Sequence, residues 1–146
     1  MLHPILKLYN EINAFAKDHA LHYEVIQPGE VHYRMTVEER HLATPTVIHG
    51  GMLAAFMDCV LGVAALSKVC QENKLVSTVE FKMNFLQPVQ CGDQLLGTGK
   101  VIHQGKRISI CTGDVINEST GTLVAKGMGT FNAYPVEKTG LDKRLS

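Results

Sequence analysis

Three short stretches of this chain carry groups able to do chemistry. The first is Val47-Ile48-His49-Gly50-Gly51, which runs directly into a long apolar segment. The opening N–H groups of a helix have no internal partners and sit at the positive end of its dipole, so glycines there leave those donors open to an incoming oxygen. Such a site can bind a carbonyl oxygen and stabilise the oxyanion it becomes. The same residues also suit a plain tight turn in which His49 caps the helix. The second is Asp58, the one residue between 50 and 66 that is neither apolar nor glycine. An ionised carboxylate is costly to bury unless it is paired, and desolvation favours its protonated form, which suits a general base. A hydrogen bond to buried backbone, or a contact across an interface between copies, would also explain it. The third is Gln104-Gly105-Lys106-Arg107, a basic tip that either holds phosphates of a nucleotide-like ligand or is a solvated turn.

The framework that holds these groups can be read from periodicity. Ile5, Leu8, Ile12, Phe15 and Ala16 recur at helical spacing after Pro4, predicting an amphipathic helix over 4–18. Residues 22–27 and 31–38 read as a hairpin split by Pro28-Gly29-Glu30. Residues 50–70 form a helix that is apolar all round, as a buried helix must be. It is too short, with an acid at its centre, to be expected in a membrane. From Lys74 the period changes to two, giving strands over 74–86, 94–103, 106–117 and 122–132 with short connections, which predict an antiparallel meander. One apolar helix on one sheet of six strands is an α+β layer pair, and Gly127 and Gly129 would let the two layers approach closely. One domain over 1–136 is expected, with a polar, frayed tail at 137–146.

His49 and Asp58 are nine residues apart, ~13 Å along one helix, so the glycines and the acid cannot meet within a chain. They meet if two such helices run antiparallel across a dimer. The open edges of the sheet also invite a second copy.

Composition excludes several classes. The chain has 146 residues, 45% apolar and 19% charged, and its 14 basic residues balance 14 acidic ones, so no global field draws in nucleic acid or an anionic membrane. Cys59, Cys70, Cys91 and Cys111 form no CxxC pair, and the histidines show no ligand spacing, so no metal site is expected. His3, His19, His22, His32, His41 and His103 read as surface residues. The opening Met1-Leu2-His3-Pro4 lacks the pattern of a secretory leader, and four reduced thiols fit a cytoplasmic location.

His-Gly-Gly opening an apolar helix, an acid nine residues after the His, and the strand Ser77-Thr-Val-Glu-Phe-Lys-Met-Asn-Phe-Leu-Gln-Pro88 together resemble the hotdog-fold acyl-CoA thioesterases, in particular the phenylacetyl-CoA thioesterase-like branch. The resemblance spans residues 31–132. It implies a central helix wrapped by a curved antiparallel sheet, dimers that can pair into tetramers, and hydrolysis of an acyl-CoA to free acid and CoA with no metal or redox cofactor. By the same resemblance Asp58 is the base or nucleophile, Gly50 N–H polarises the carbonyl, His49 sits beside it and Thr78 orients water. Gly51 keeps the backbone open to the thioester, and Lys106 and Arg107 approach the CoA phosphates. Met57, Leu61 and Phe81 are candidates to line the acyl pocket. The sequence departs from the pattern at Ala43, where relatives carry Asn or Gln, and at Thr46, where they carry Gly. These departures keep a non-catalytic acyl-CoA binder open as the alternative.

Overall fold

Two short helices, a strand pair and a long buried helix precede a run of long strands. The structure, a computed structural model, describes residues 1–145. Its N-terminal segment is α1 (Pro4–Ile12) and α2 (Ala14–Asp18). The single helix expected over 4–18 is therefore broken, and Asn13 is the cause. Its N–H closes the last turn of α1 on the Tyr9 carbonyl, while its Oδ1 accepts the Ala16 N–H at 3.1 Å and starts α2. A short side chain that bonds its own neighbouring backbone competes with the helix in this way. After α2 come β1 (His22–Gln27), β2 (Glu30–Thr36) and the small ladder β3 (Leu42–Thr44) with β4 (Val47–Ile48). The remaining elements are α3 (Gly50–Val69), β5 (Lys74–Phe85), β6 (Gln94–Gln104), β7 (Ile108–Asn117) and β8 (Thr122–Pro135).

Six strands form one antiparallel sheet in the order β1-β2-β6-β7-β8-β5. β6, β7 and β8 are the expected meander. β5 departs from it, lying beside β8 at the opposite edge from β1, so the connection from β5 to β6 crosses over the start of α3. Backbone bonds hold that crossing in place: the Val89 carbonyl accepts the Ile48 N–H at 2.8 Å, and the Asp93 carbonyl accepts the Val37 N–H at 2.9 Å. A short segment can make the crossing because the sheet curves around α3, which touches strands from one edge to the other.

α3 is long and apolar enough to span a membrane, yet 67% of its most apolar window is buried in this fold. Phe56, Met57, Val60, Leu61 and Ala64 meet the concave face of the sheet, where Tyr33, Met35, Leu95 and Phe131 are equally buried. The closest approach of the two layers is at Gly99 in β6, where an added Cβ would lie 2.5 Å from the Val60 carbonyl oxygen. Gly127 and Gly129 serve a related purpose by making room for side chains, with Met57 Sδ 2.8 Å from a Cβ on the first and Leu61 Cδ1 3.2 Å from one on the second.

The tail expected to fray is ordered through Leu145. Two 3-10 turns, Val136–Thr139 and Leu141–Arg144, bring Val136, Leu141 and Leu145 onto a small cluster with Ile5, Leu66 and Cys70. Ser146 lies outside the described residues.

Because the obstacle at Gly99 is backbone, it cannot rotate away. We expect Gly99→Ala to destabilise the protein by about 1–3 kcal/mol, the usual cost of overpacking, read as a fall in the urea midpoint with an unchanged slope.

Candidate active site

The start of α3 is a helix terminus with most of its donors already used. His49 is the N-cap in extended conformation, and its Nδ1 accepts the Gly51 N–H at 2.8 Å. Its carbonyl accepts the N–H groups of Met52 and Leu53. Gly50 N–H is left as the one first-turn donor without a partner among the described residues. It is exposed, at the edge of an open recess of about 270 Å³ bounded by Val47, Leu53, Phe85 and Pro88. The helix dipole and this free donor together favour a developing negative charge. Gly51 does something other than keep backbone open. A Cβ on it would sit 2.9 Å from His49 Nδ1, so the glycine makes room for the capping ring.

His49 is itself held by His41, whose carbonyl accepts the His49 N–H at 2.8 Å. Contrary to the surface reading, His41 is 1% exposed. Its Nδ1 accepts the Glu38 N–H at 3.0 Å, which places the ring proton on Nε2, facing His19 Nδ1 at 3.1 Å. Burial, reinforced by His19 and Arg40, holds the His41 imidazole below its ordinary value.

Two turns further along α3, Asp58 is half-buried and is not the isolated core charge that the apolar surroundings suggest. It lies on the helix face of Gly51, Ala54, Ala55 and Gly62, where the chain's own sheet leaves cover incomplete. Asp58 Oδ1 accepts the Thr78 hydroxyl at 2.8 Å, and Oδ2 has no partner among the described residues. Thr78 comes from β5 at a bulge, where pairing with β8 slips by one residue at Val79. Such a bulge re-aims a side chain, here toward the helix. The carboxylate is thus oriented through one oxygen and free to act through the other. Its neighbour Cys59 is no rival nucleophile. Burial, with Asp58 adding to it, pushes the thiol up to about 12, so it stays protonated at neutral pH.

Asp58 and Thr78 open onto a largely apolar cavity of about 250 Å³ between α1, α3, β5 and β8. Its α3 wall is Cys59, Gly62, Val63 and Leu66, one helical stripe. Met57 and Leu61, expected there, lie outside this stripe and pack against Gly113, Gly127 and Gly129 of the sheet. Phe81 is also absent from the cavity wall and instead has its Cβ against Gly129. The residues that sequence reasoning missed are Ile5, Leu8, Tyr9 and Ile12 on α1 and Phe131, Tyr134, Val136 and Leu141 beyond the meander. The apolar stripe of α1 was legible, but not the element it would cover.

Lys106 and Arg107 are exposed at the β6–β7 hairpin and form no ion pair among the described residues. They lie at the cavity end of the sheet: the Arg107 carbonyl accepts the Ala133 N–H at 2.6 Å, one residue from Tyr134. Lys74 joins them, with Nζ 3.3 Å from the Lys106 carbonyl. Ala43 and Thr46 are exposed in and beside the β3–β4 ladder that leads to His49. Among the described residues no group of three or more His, Cys, Asp or Glu side chains is placed to hold a metal ion.

A long helix cradled in a curved antiparallel sheet, with an open donor at its start and an oriented acid on its exposed face, defines the hotdog class of enzymes. The chain belongs to the thioesterase superfamily, whose family model matches residues 46–124, and by class it is a thioester hydrolase. It is similar to human acyl-coenzyme A thioesterase 13, with 30% identity over 104 residues that cover 70% of this chain and 72% of the human protein. Among solved structures it superposes on the PaaI protein of the Escherichia coli phenylacetic acid degradation operon with a TM-score of 0.81 and 25% identity, covering 88% of this chain and 90% of that one. A Streptococcus mutans protein solved with acetyl-CoA bound shares the fold, with a TM-score of 0.71 at 23% identity over 79% of this chain and 89% of that one.

The His41 bonds make the approach to α3 sensitive to acid. A base whose folded pKa is lowered binds fewer protons folded than unfolded, so stability is lost as pH falls below the free imidazole value of about 6.5. We expect the melting temperature to fall between about pH 7.5 and 5.5, and His41→Gln to flatten that slope, as monitored by circular dichroism.

Proposed function

We propose that the protein hydrolyses acyl-CoA thioesters to the free acid and CoA at sites shared between two chains. The observation that carries this reading is the Thr78–Asp58 hydrogen bond at the mouth of an apolar cavity, on the same helix whose start offers the free Gly50 N–H. The thioester carbonyl oxygen accepts from Gly50 N–H. Asp58 takes a proton from a water held near the Thr78 hydroxyl, and the resulting hydroxide adds to the carbonyl carbon. The tetrahedral oxyanion is stabilised at the helix start. When it collapses, the C–S bond breaks and the CoA sulfur leaves with the proton that Asp58 carried. The reaction needs no metal or redox cofactor. The names of the human relative and of the acetyl-CoA-bound structure support an acyl-CoA as the substrate.

Two chains are needed because Gly50 and Asp58 stand eight residues apart on one rigid helix, ~12 Å by helical rise. The sheet edge at β5 is unpaired, and Val79, Phe85 and Leu86 near it are 58%, 54% and 45% exposed. A second copy laid antiparallel covers that edge and brings its Gly50 toward this Asp58, giving a homodimer or a dimer of dimers. Lys106, Arg107 and Lys74 then offer charge to the CoA phosphates.

Asp58→Asn keeps the volume and removes the base. We expect turnover of acyl-CoA to fall by ~10²–10⁴ while the melting temperature holds or rises, since an amide is cheaper to desolvate. An Asn variant active at the wild-type rate would overturn the role of Asp58, and a wild type that binds acyl-CoA without turnover would favour the non-catalytic reading.

Light scattering coupled to chromatography tests the shared site. The active species should have at least twice the mass of one chain, whereas an active monomer would remove the need for a second copy.

A further inference from the structure

We propose that α1 and the C-terminal turn form the end wall of the acyl chamber and restrict this enzyme to compact apolar acyl groups, either a ring on a short linker or a medium unbranched chain. The inference rests on the acyl-CoA reading above and adds what that reading leaves open, the acyl group and the residues that choose it. Half of the cavity wall comes from outside residues 46–124, the stretch matched by the superfamily: Ile5, Leu8, Tyr9 and Ile12 on one side and Phe131 through Leu141 on the other. The chemistry and its size limit thus sit on different parts of the chain.

The wall is built rather than draped. Ile5, Leu8 and Val136 are 2%, 6% and 2% exposed, and Ile5 packs with Leu66 and Cys70 of the α3 end. His3 Nδ1 caps α1 by accepting the Ile5 N–H at 3.2 Å, and the break at Asn13 ends α1 just after Ile12, at the chamber rim. An apolar cavity of roughly 150 Å³ is filled by one benzene ring, so about 250 Å³ takes that ring with a short linker, or a chain of roughly six to eight carbons. A much longer chain has to displace α1 or lie in water. Gly62 tunes the same volume from the α3 side, since a Cβ on it would sit 3.3 Å from the Phe131 ring.

The test is a kcat/KM series over butyryl-, hexanoyl-, octanoyl-, phenylacetyl- and palmitoyl-CoA for the wild type, Gly62→Ala, Leu8→Ala and Ile12→Ala. The wild type should favour octanoyl- or phenylacetyl-CoA over palmitoyl-CoA by about 10-fold or more. Gly62→Ala should lower octanoyl-CoA relative to butyryl-CoA, and the α1 truncations should raise palmitoyl-CoA relative to octanoyl-CoA. Leu8 is buried and its truncation can loosen α1, so the rim variant Ile12→Ala provides a second reading of the same wall. A flat wild-type profile, or active variants with the wild-type profile, would overturn the proposal and leave hydrolysis standing. If no CoA ester turns over, titration calorimetry with non-hydrolysable S-alkyl-CoA thioethers separates the two ideas. Binding that peaks at medium length and shifts in the α1 variants keeps the chamber and discards hydrolysis, whereas binding indifferent to length discards both.

Discussion

The depth at which α3 sits in the sheet governs both the cover of its apolar surface and the place of its one acid. At Gly99 the helix backbone reaches the strand with no side chain between them, and Gly97, Gly113, Gly127 and Gly129 extend that accommodation to Val60, Leu61 and Met57. With the helix set this close, the curved sheet can wrap its apolar circumference while leaving one face short of cover. Asp58 sits on that uncovered face. Had the helix stood further out, the large residues around Asp58 would have needed other cover, and the acid would have had no defined wall to face. Dispersion contacts across so close an interface are individually small and collectively decisive.

The entrance to the helix is organised by a chain of ordinary hydrogen bonds running through two histidines. Glu38 N–H holds the His41 ring, the His41 carbonyl holds His49, and the His49 ring takes Gly51 N–H. Each bond satisfies a group that would otherwise be orphaned at the helix start, and the remainder is one unpaired donor at Gly50. A helix terminus has several loose N–H groups. Assigning the rest to capping is what turns a diffuse positive end into a single directed donor. His49 therefore acts on the candidate site by what it removes from competition.

A rigid helix also imposes a separation. Gly50 and Asp58 are fixed relative to each other by eight residues of regular structure, and no side-chain rotation brings them together. Each chain carries an acid with its cavity at one end of β5 and a donor with its recess at the other, near Phe85. The exposed apolar groups along β5 lie between the two half-sites. Assembly and chemistry are thereby tied to one surface, because covering that edge is also what completes the site.

Much of this was readable from residue order. The all-round apolar run from Gly50 could only be a buried helix, the period-two segments from Lys74 could only be long strands, and the glycines and lone acid stood out because their neighbours gave them no local purpose. These are properties of adjacent residues, where hydrophobic period and backbone freedom act directly. The tertiary structure decided the rest because the deciding partners are distant in sequence. β5 crossed to β8 because the sheet curves, which no local period encodes. Met57 and Leu61 turned to the sheet while Cys59 and Gly62 met the cavity, because helix rotation is set by which face finds the glycines. His41 became buried through contacts with Glu38, His19 and His49, and α1 and the C-terminal turn became walls of a chamber whose other side is Thr78. The local pattern determined which elements exist and which residues were out of place in them; long-range packing alone determined what those residues face.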